Sequence, residues 1–102
     1  MAFKARHNIS STNVIDLIAA GENAGNIRSI LLTNTHSSNS ISVDLYLENN
    51  FSRHYIVRNS AIPSGVSLEL DVSKISIDTS TDQDYLRIKC STNGGLDVII
   101  NK

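Results

Sequence analysis

Ile62-Pro63-Ser64-Gly65-Val66-Ser67-Leu68-Glu69-Leu70-Asp71-Val72 is the stretch that decides how this chain is read. Pro63 sets φ at one turn position and Gly65 relaxes another. After the turn, apolar and polar residues alternate. A period of two is the mark of a half-buried strand. Val66, Leu68, Leu70 and Val72 are therefore expected to face a core, and Ser67, Glu69 and Asp71 to face outward.

Similar runs lie on both sides. Ile41, Val43, Leu45 and Leu47 read as inward-facing, with Ser42, Asp44, Tyr46 and Glu48 outward. Ile27 to Thr35 reads as a strand, and the polar link His36-Ser37-Ser38-Asn39-Ser40 predicts a hairpin into the strand at Ile41. Asn49-Asn50-Phe51-Ser52 turns the chain into His54–Arg58. Ile75 and Ile77 predict a short strand, and residues 78–84 a polar loop. A last hairpin is expected to join Tyr85–Ser91 to Leu96–Asn101 through Thr92-Asn93-Gly94-Gly95, where glycine supplies positive φ. At the other end, residues 1–12 suit an edge strand or a mobile arm. Asn13 suits a helix cap, but Val14, Ile15 and Ile18 favour a strand; Gly21 to Asn26 reads as a turn. The expectation is an all-β chain of about seven to nine short strands, an antiparallel, jelly-roll-like β-sandwich forming one domain over residues 1–102.

Composition fits this. Ile, Leu and Val supply most of the apolar residues, and the chain has no Trp, two Phe and three Tyr. β-branched side chains pack well on a pleated surface. Nine Lys and Arg against ten Asp and Glu leave a net charge of −1. That balance provides no basic footprint for nucleic acid or for an anionic membrane, so neither partner is expected. The start of the chain lacks the apolar run of a signal peptide. Val14 to Ala20, the longest apolar stretch, is too short to span a bilayer as a helix. Asn8-Ile9-Ser10 and Asn50-Phe51-Ser52 match the glycosylation acceptor pattern, which without secretion carries no weight.

Chemistry is sparse. Cys90 is the single cysteine. It alternates in phase with Leu86 and Ile88 and should be a small buried hydrophobe. His7, His36 and His54 stand on separate segments with no metal-ligand spacing, so neither metal nor cofactor is expected. Asp78, Asp82 and Asp84 share an oxygen-rich loop that lacks the glycine and terminal glutamate of a calcium-binding loop. Asp44, Glu48 and Glu69 are outward strand residues, where solvated carboxylates are ordinary, and no nucleophile elbow accompanies the serines. A non-enzymatic protein is expected. Tyr46, Tyr55 and Tyr85 form the candidate interaction surface. Tyr46 and Tyr85 are out of phase with the core residues of their strands and should be exposed, ready for subunit contact or for stacking on a carbohydrate.

Four stretches carry a resemblance: Ile27-Arg28-Ser29-Ile30-Leu31-Leu32-Thr33-Asn34-Thr35, Val43-Asp44-Leu45-Tyr46-Leu47, Tyr55-Ile56-Val57 running into Ile62–Leu70, and Asp84-Tyr85-Leu86-Arg87-Ile88 with Leu96-Asp97-Val98-Ile99-Ile100. In that order they resemble small all-β virion structural proteins of tailed phages, marine ones especially. The similarity runs from about Val14 onward, and Asp82-Gln83-Asp84 stands where that group has Gly-Asp. The resemblance implies a virion component of the head, neck or tail, made in the host cytoplasm and assembled with copies of itself and with other virion proteins. It implies no catalytic residue.

Overall fold

A computed structural model of the chain describes residues 4–19, 27–49, 52–74, 84–91 and 95–102. Eight strands and no helix occur among them: β1 (Arg6–Ile9), β2 (Ile15–Ile18), β3 (Ser29–Asn34), β4 (Ile41–Glu48), β5 (Arg53–Ile62), β6 (Ser67–Asp71), β7 (Tyr85–Cys90) and β8 (Leu96–Asn101). They form two antiparallel four-stranded sheets. The first has the order β1-β8-β3-β6 and the second β2-β7-β4-β5. Strands pair from the outside of the chain inward: β1 with β8, β2 with β7, β3 with β6 and β4 with β5. Successive pairs fall in alternate sheets. A long antiparallel ribbon rolled around a core has this winding, which is that of an eight-stranded jelly roll.

Two expected hairpins are corrected by this topology. β3 and β4 lie in different sheets, as do β7 and β8, so neither sequential pair is hydrogen-bonded. β4 and β5, joined through the Asn49 turn, form a true sequential hairpin, with Asn49 N–H donating to Ser52 O at 3.0 Å. The reason lies in the link after β3. Ile30, Leu32 and Asn34 occupy the inward positions of β3, and Asn34 is fully buried. Its Nδ2 donates to the carbonyls of Asn39 and Ile62, both at 2.8 Å, and its Oδ1 accepts from His36 N at 2.9 Å. The amide thus satisfies the backbone of a link that arches over the core, where unpaired groups would be costly. Ser64 Oγ donates to His36 O, and Thr35 N to Gly95 O, so three inter-sheet connections meet at one end. Gly95 has φ +83°, which favours glycine, and a Cβ there would stand 2.7 Å from the His36 ring, which would have to shift.

Other readings match the described residues. β1 is an edge strand, and the Val14–Ala20 stretch contains β2. β6 shows the expected phase: Ser67, Glu69 and Asp71 are exposed, Leu68 and Leu70 half-buried and Val72 buried. Val66 departs from it, being 43% exposed. The core is the facing interior of both sheets and includes Ile30, Leu32, Ile41, Val43, Leu45, Leu86, Ile88, Leu96 and Val98. Cys90 is buried among them, and burial raises its thiol pKa to about 11. The turn at 21–26, the strand at Ile75 and Ile77, and most of the loop at 78–84 lie outside the described residues.

Candidate functional site

The outer face of the β2-β7-β4-β5 sheet brings together the side chains singled out above. Register alone builds it. Asp16 opposes Arg87, Arg87 opposes Tyr46, and Tyr46 opposes Tyr55, which makes one row across all four strands. In the next row Glu48 opposes Tyr85 on one side and Arg53 on the other. Opposite charges and aromatic pairs at facing positions are the stabilising unit of a sheet surface.

The side chains interlock. Arg53 binds Glu48 through Nε at 2.8 Å and Nη2 at 2.7 Å. Arg87 Nη1 reaches the other oxygen of Glu48 at 2.6 Å, while its Nε reaches Asp16 at 2.7 Å. Four charges therefore alternate in sign along one chain of contacts. Hydrogen bonds from Arg53 and Arg87 hold the Glu48 carboxyl below its usual range. The arginines also cover the rings. Arg53 stands 4.5 Å over Tyr46, Arg58 4.9 Å over Tyr55 and Arg87 4.1 Å over Tyr85, and the two rings of Tyr46 and Tyr55 meet at 5.4 Å. Such cation–π contacts are worth up to about 2 kcal/mol when desolvated.

The expectation that Tyr46 is exposed is therefore corrected. Its phase is outward, as read, but it is only 2% exposed. β4 is an inner strand, so long side chains from β5 and β7 close over it. Burial raises the pKa of its hydroxyl, with Arg53 opposing. Tyr85 is half-buried under Arg87. Tyr55, on the edge strand, is 39% exposed and remains reachable.

β5 reaches this position through two irregularities. Its register with β4 shifts between Val43 and Leu45 and again between Leu45 and Tyr46. Asn59 adopts φ +50°, a left-handed conformation that Asn tolerates better than most residues. Asp44 Oδ1 accepts its N–H at 2.6 Å, satisfying the donor that the bulge displaces from the ladder.

Elsewhere the candidates stay apart. Glu69 is on the outer face of the other sheet, remote from Asp44 and Glu48. His7 is in β1, His36 in the β3–β4 link and His54 in β5, where its Nε2 meets Ser52 Oγ at 3.1 Å. Asp84 accepts a hydrogen bond from Asn49 at 2.8 Å, and Asp78 and Asp82 lie outside the described residues. Among the described residues no three His, Cys, Asp or Glu side chains cluster as metal ligands. Arg53, Arg58 and Arg87 complete the site beyond the tyrosines expected from the sequence. Alternation with Leu86 and Ile88 turns Arg87 outward, but Arg53 and Arg58 have opposite parity on β5 and share the outer face only because of its register shifts. Comparisons with protein-family models, with curated proteins and with solved structures find no match to this chain.

Proposed function

We propose that the chain is a non-enzymatic structural module that assembles with copies of itself, as a head, neck or tail building block or decoration of a tailed-phage virion. The observation that carries this reading is the rolled eight-strand sandwich with an edge strand at each side of each sheet. Jelly rolls of this kind serve repeatedly as shell components and lectins, and open edges favour pairing with another chain. The sequence resemblance supports the virion setting. Other virion proteins would then be further partners, and the site of synthesis the host cytoplasm.

Light scattering coupled to size exclusion at several concentrations tests it: a defined multimer that survives dilution is expected. A monomer at every concentration overturns the self-association. A second reading, a small carbohydrate-binding module for host attachment, draws on Tyr55, an exposed ring flanked by Arg58 on an edge strand. Reproducible binding on a glycan array that is lost in Tyr55→Ala would favour it.

A further inference from the structure

The two edges of the β1-β8-β3-β6 sheet differ in charge, and both are regular. On β6, Val66 O accepts from Asn34 N and Val72 N donates to Arg28 O, both at 3.0 Å. Backbone groups alternate in direction along an antiparallel strand. Those of Ser67, Glu69 and Asp71 therefore point away from β3, toward the open side. On β1, Ala5 O accepts from Ile100 N at 2.7 Å, so Arg6 and Asn8 point their backbone groups away from β8. Lys4, Arg6, Asn8, Ser67, Glu69 and Asp71 are all exposed. Among the described residues, neither Arg6 nor Glu69 has an ion-pair partner.

Register then places these residues in matching rows. Arg6, Ile99, Leu31 and Glu69 form one row across the sheet, and Asn8, Asp97, Thr33 and Ser67 the next. Because every neighbour pair is antiparallel, β6 runs opposite to β1. A second copy set beside the first, without slipping along the strands, continues the antiparallel alternation. Each row then closes onto its own beginning: Glu69 faces Arg6 of the next copy, Asp71 faces Lys4, and Ser67 faces Asn8. On the inner face, the half-buried Leu68 and Leu70 meet His7 and Ala5, and the exposed Val66 meets Ile9.

We propose that β6 of one copy adds to β1 of the next, joining this sheet head to tail; the inference rests on the self-association reading above and names its seam. Charge selects the pairing. Two β6 edges would oppose Glu69 to Glu69 and two β1 edges would bring their basic residues together, so like edges repel while unlike edges attract. The other sheet is guarded differently. β2 and β5 both carry register shifts, and bulges blunt an edge against strand addition. A head-to-tail contact leaves one edge free at each end, so it propagates until a ring closes or a filament grows. The right-handed twist of the strands gives that growth its curvature.

Charge exchange tests the seam, with the solution mass as readout and thermal melting as the check that these exposed positions leave the fold intact. Arg6→Glu or Glu69→Arg alone should raise the half-assembly concentration roughly tenfold, from one cross-strand attraction turned to repulsion. The double variant restores the pair between copies and should assemble like the parent chain. Equal mixtures of the two single variants should co-assemble beyond dimers, since in the row of residues 6 and 69 one variant then carries acid on both edges and the other base on both, while Lys4 and Asp71 still pair. A parent multimer indifferent to all of these changes overturns the seam and leaves self-association standing. A parent chain that is monomeric throughout overturns both.

Discussion

The two outer faces of the sandwich are built from the same alternation yet are stabilised differently. On the β1-β8-β3-β6 sheet, outward residues meet as small polar pairs: Asn8 with Asp97 at 2.7 Å, Thr33 with Ser67 at 2.9 Å, and Asn101 with Ser29 at 3.1 Å. Leu31 and Ile99 stay half-exposed between them. On the β2-β7-β4-β5 sheet, arginines and a shared carboxylate close over Tyr46 and bury it. The first face is a surface. The second is a thin additional layer outside the sheet, with its own desolvated ring. Side-chain length explains the contrast: serine, threonine and asparagine reach only the facing residue, whereas arginine crosses to the next strand and covers what lies between.

The largest consequence concerns the ring itself. Tyr46→Ala should cost about 3 kcal/mol in denaturant unfolding, because it empties a buried aromatic site and leaves Arg53 with less to cover. Leu31→Ala, the counterpart on the other face, should cost about 1 kcal/mol, since only part of its surface is lost from burial. Equal costs would show that the arginine layer adds nothing to burial.

Alkaline pH should weaken the second sheet selectively. Cys90 and Tyr46, both on its strands, have pKa values raised by burial. A raised folded value means stability that is complete below the ordinary pKa and lost as pH rises through the folded one. For Cys90 the window runs from its ordinary 9.0 to about 11. Cys90→Ala should therefore melt lower at neutral pH but show a shallower decline across that window. An unchanged slope would assign the alkaline loss elsewhere.

Acid separates the faces by a smaller amount. Glu48 and Asp71 are both held below the ordinary carboxyl range, Glu48 by hydrogen bonds from Arg53 and Arg87, and Asp71 by the Ser73 hydroxyl and N–H. Depressed values mean stability present above the ordinary carboxyl pKa and lost as pH falls through the folded one. Glu48→Gln should lower the melting temperature at pH 7 and reduce its fall below about pH 4.5. Asp71→Asn, whose amide oxygen can still accept both Ser73 hydrogen bonds, should do so less. The smallest effect is expected of Thr33→Ala, about 0.5 kcal/mol, which removes one exposed hydroxyl pair.

Much of the fold is legible in the sequence. The phases of β4, β6, β7 and β8, the inward Cys90, the turn at Pro63-Ser64-Gly65 and the sandwich itself all follow from a period of two and from residues with fixed turn preferences. The candidate site was half legible. Tyr46, Tyr55 and Tyr85 do share one outer face, and the outward phase of Tyr46 and Tyr85 follows from alternation, but exposure depends on neighbours that alternation does not identify. The links at 36–40 and 92–95 failed for a related reason. A polar loop between two alternating runs has the same local composition whether it closes a hairpin or arches between sheets.

By itself the sequence determined which residues turn inward along the regular strands β4, β6 and β7, because that is set by backbone geometry within a few residues, whereas the register shifts of β5 reverse its alternation. Only the tertiary structure decided which strands are neighbours. Pairing β1 with β8 joins residues far apart in the chain, and such a choice is made by the packing of the whole core and by single groups such as the buried Asn34 amide. That same choice set Arg53 and Arg87 on either side of Tyr46, and put an acidic and a basic edge on opposite sides of one sheet.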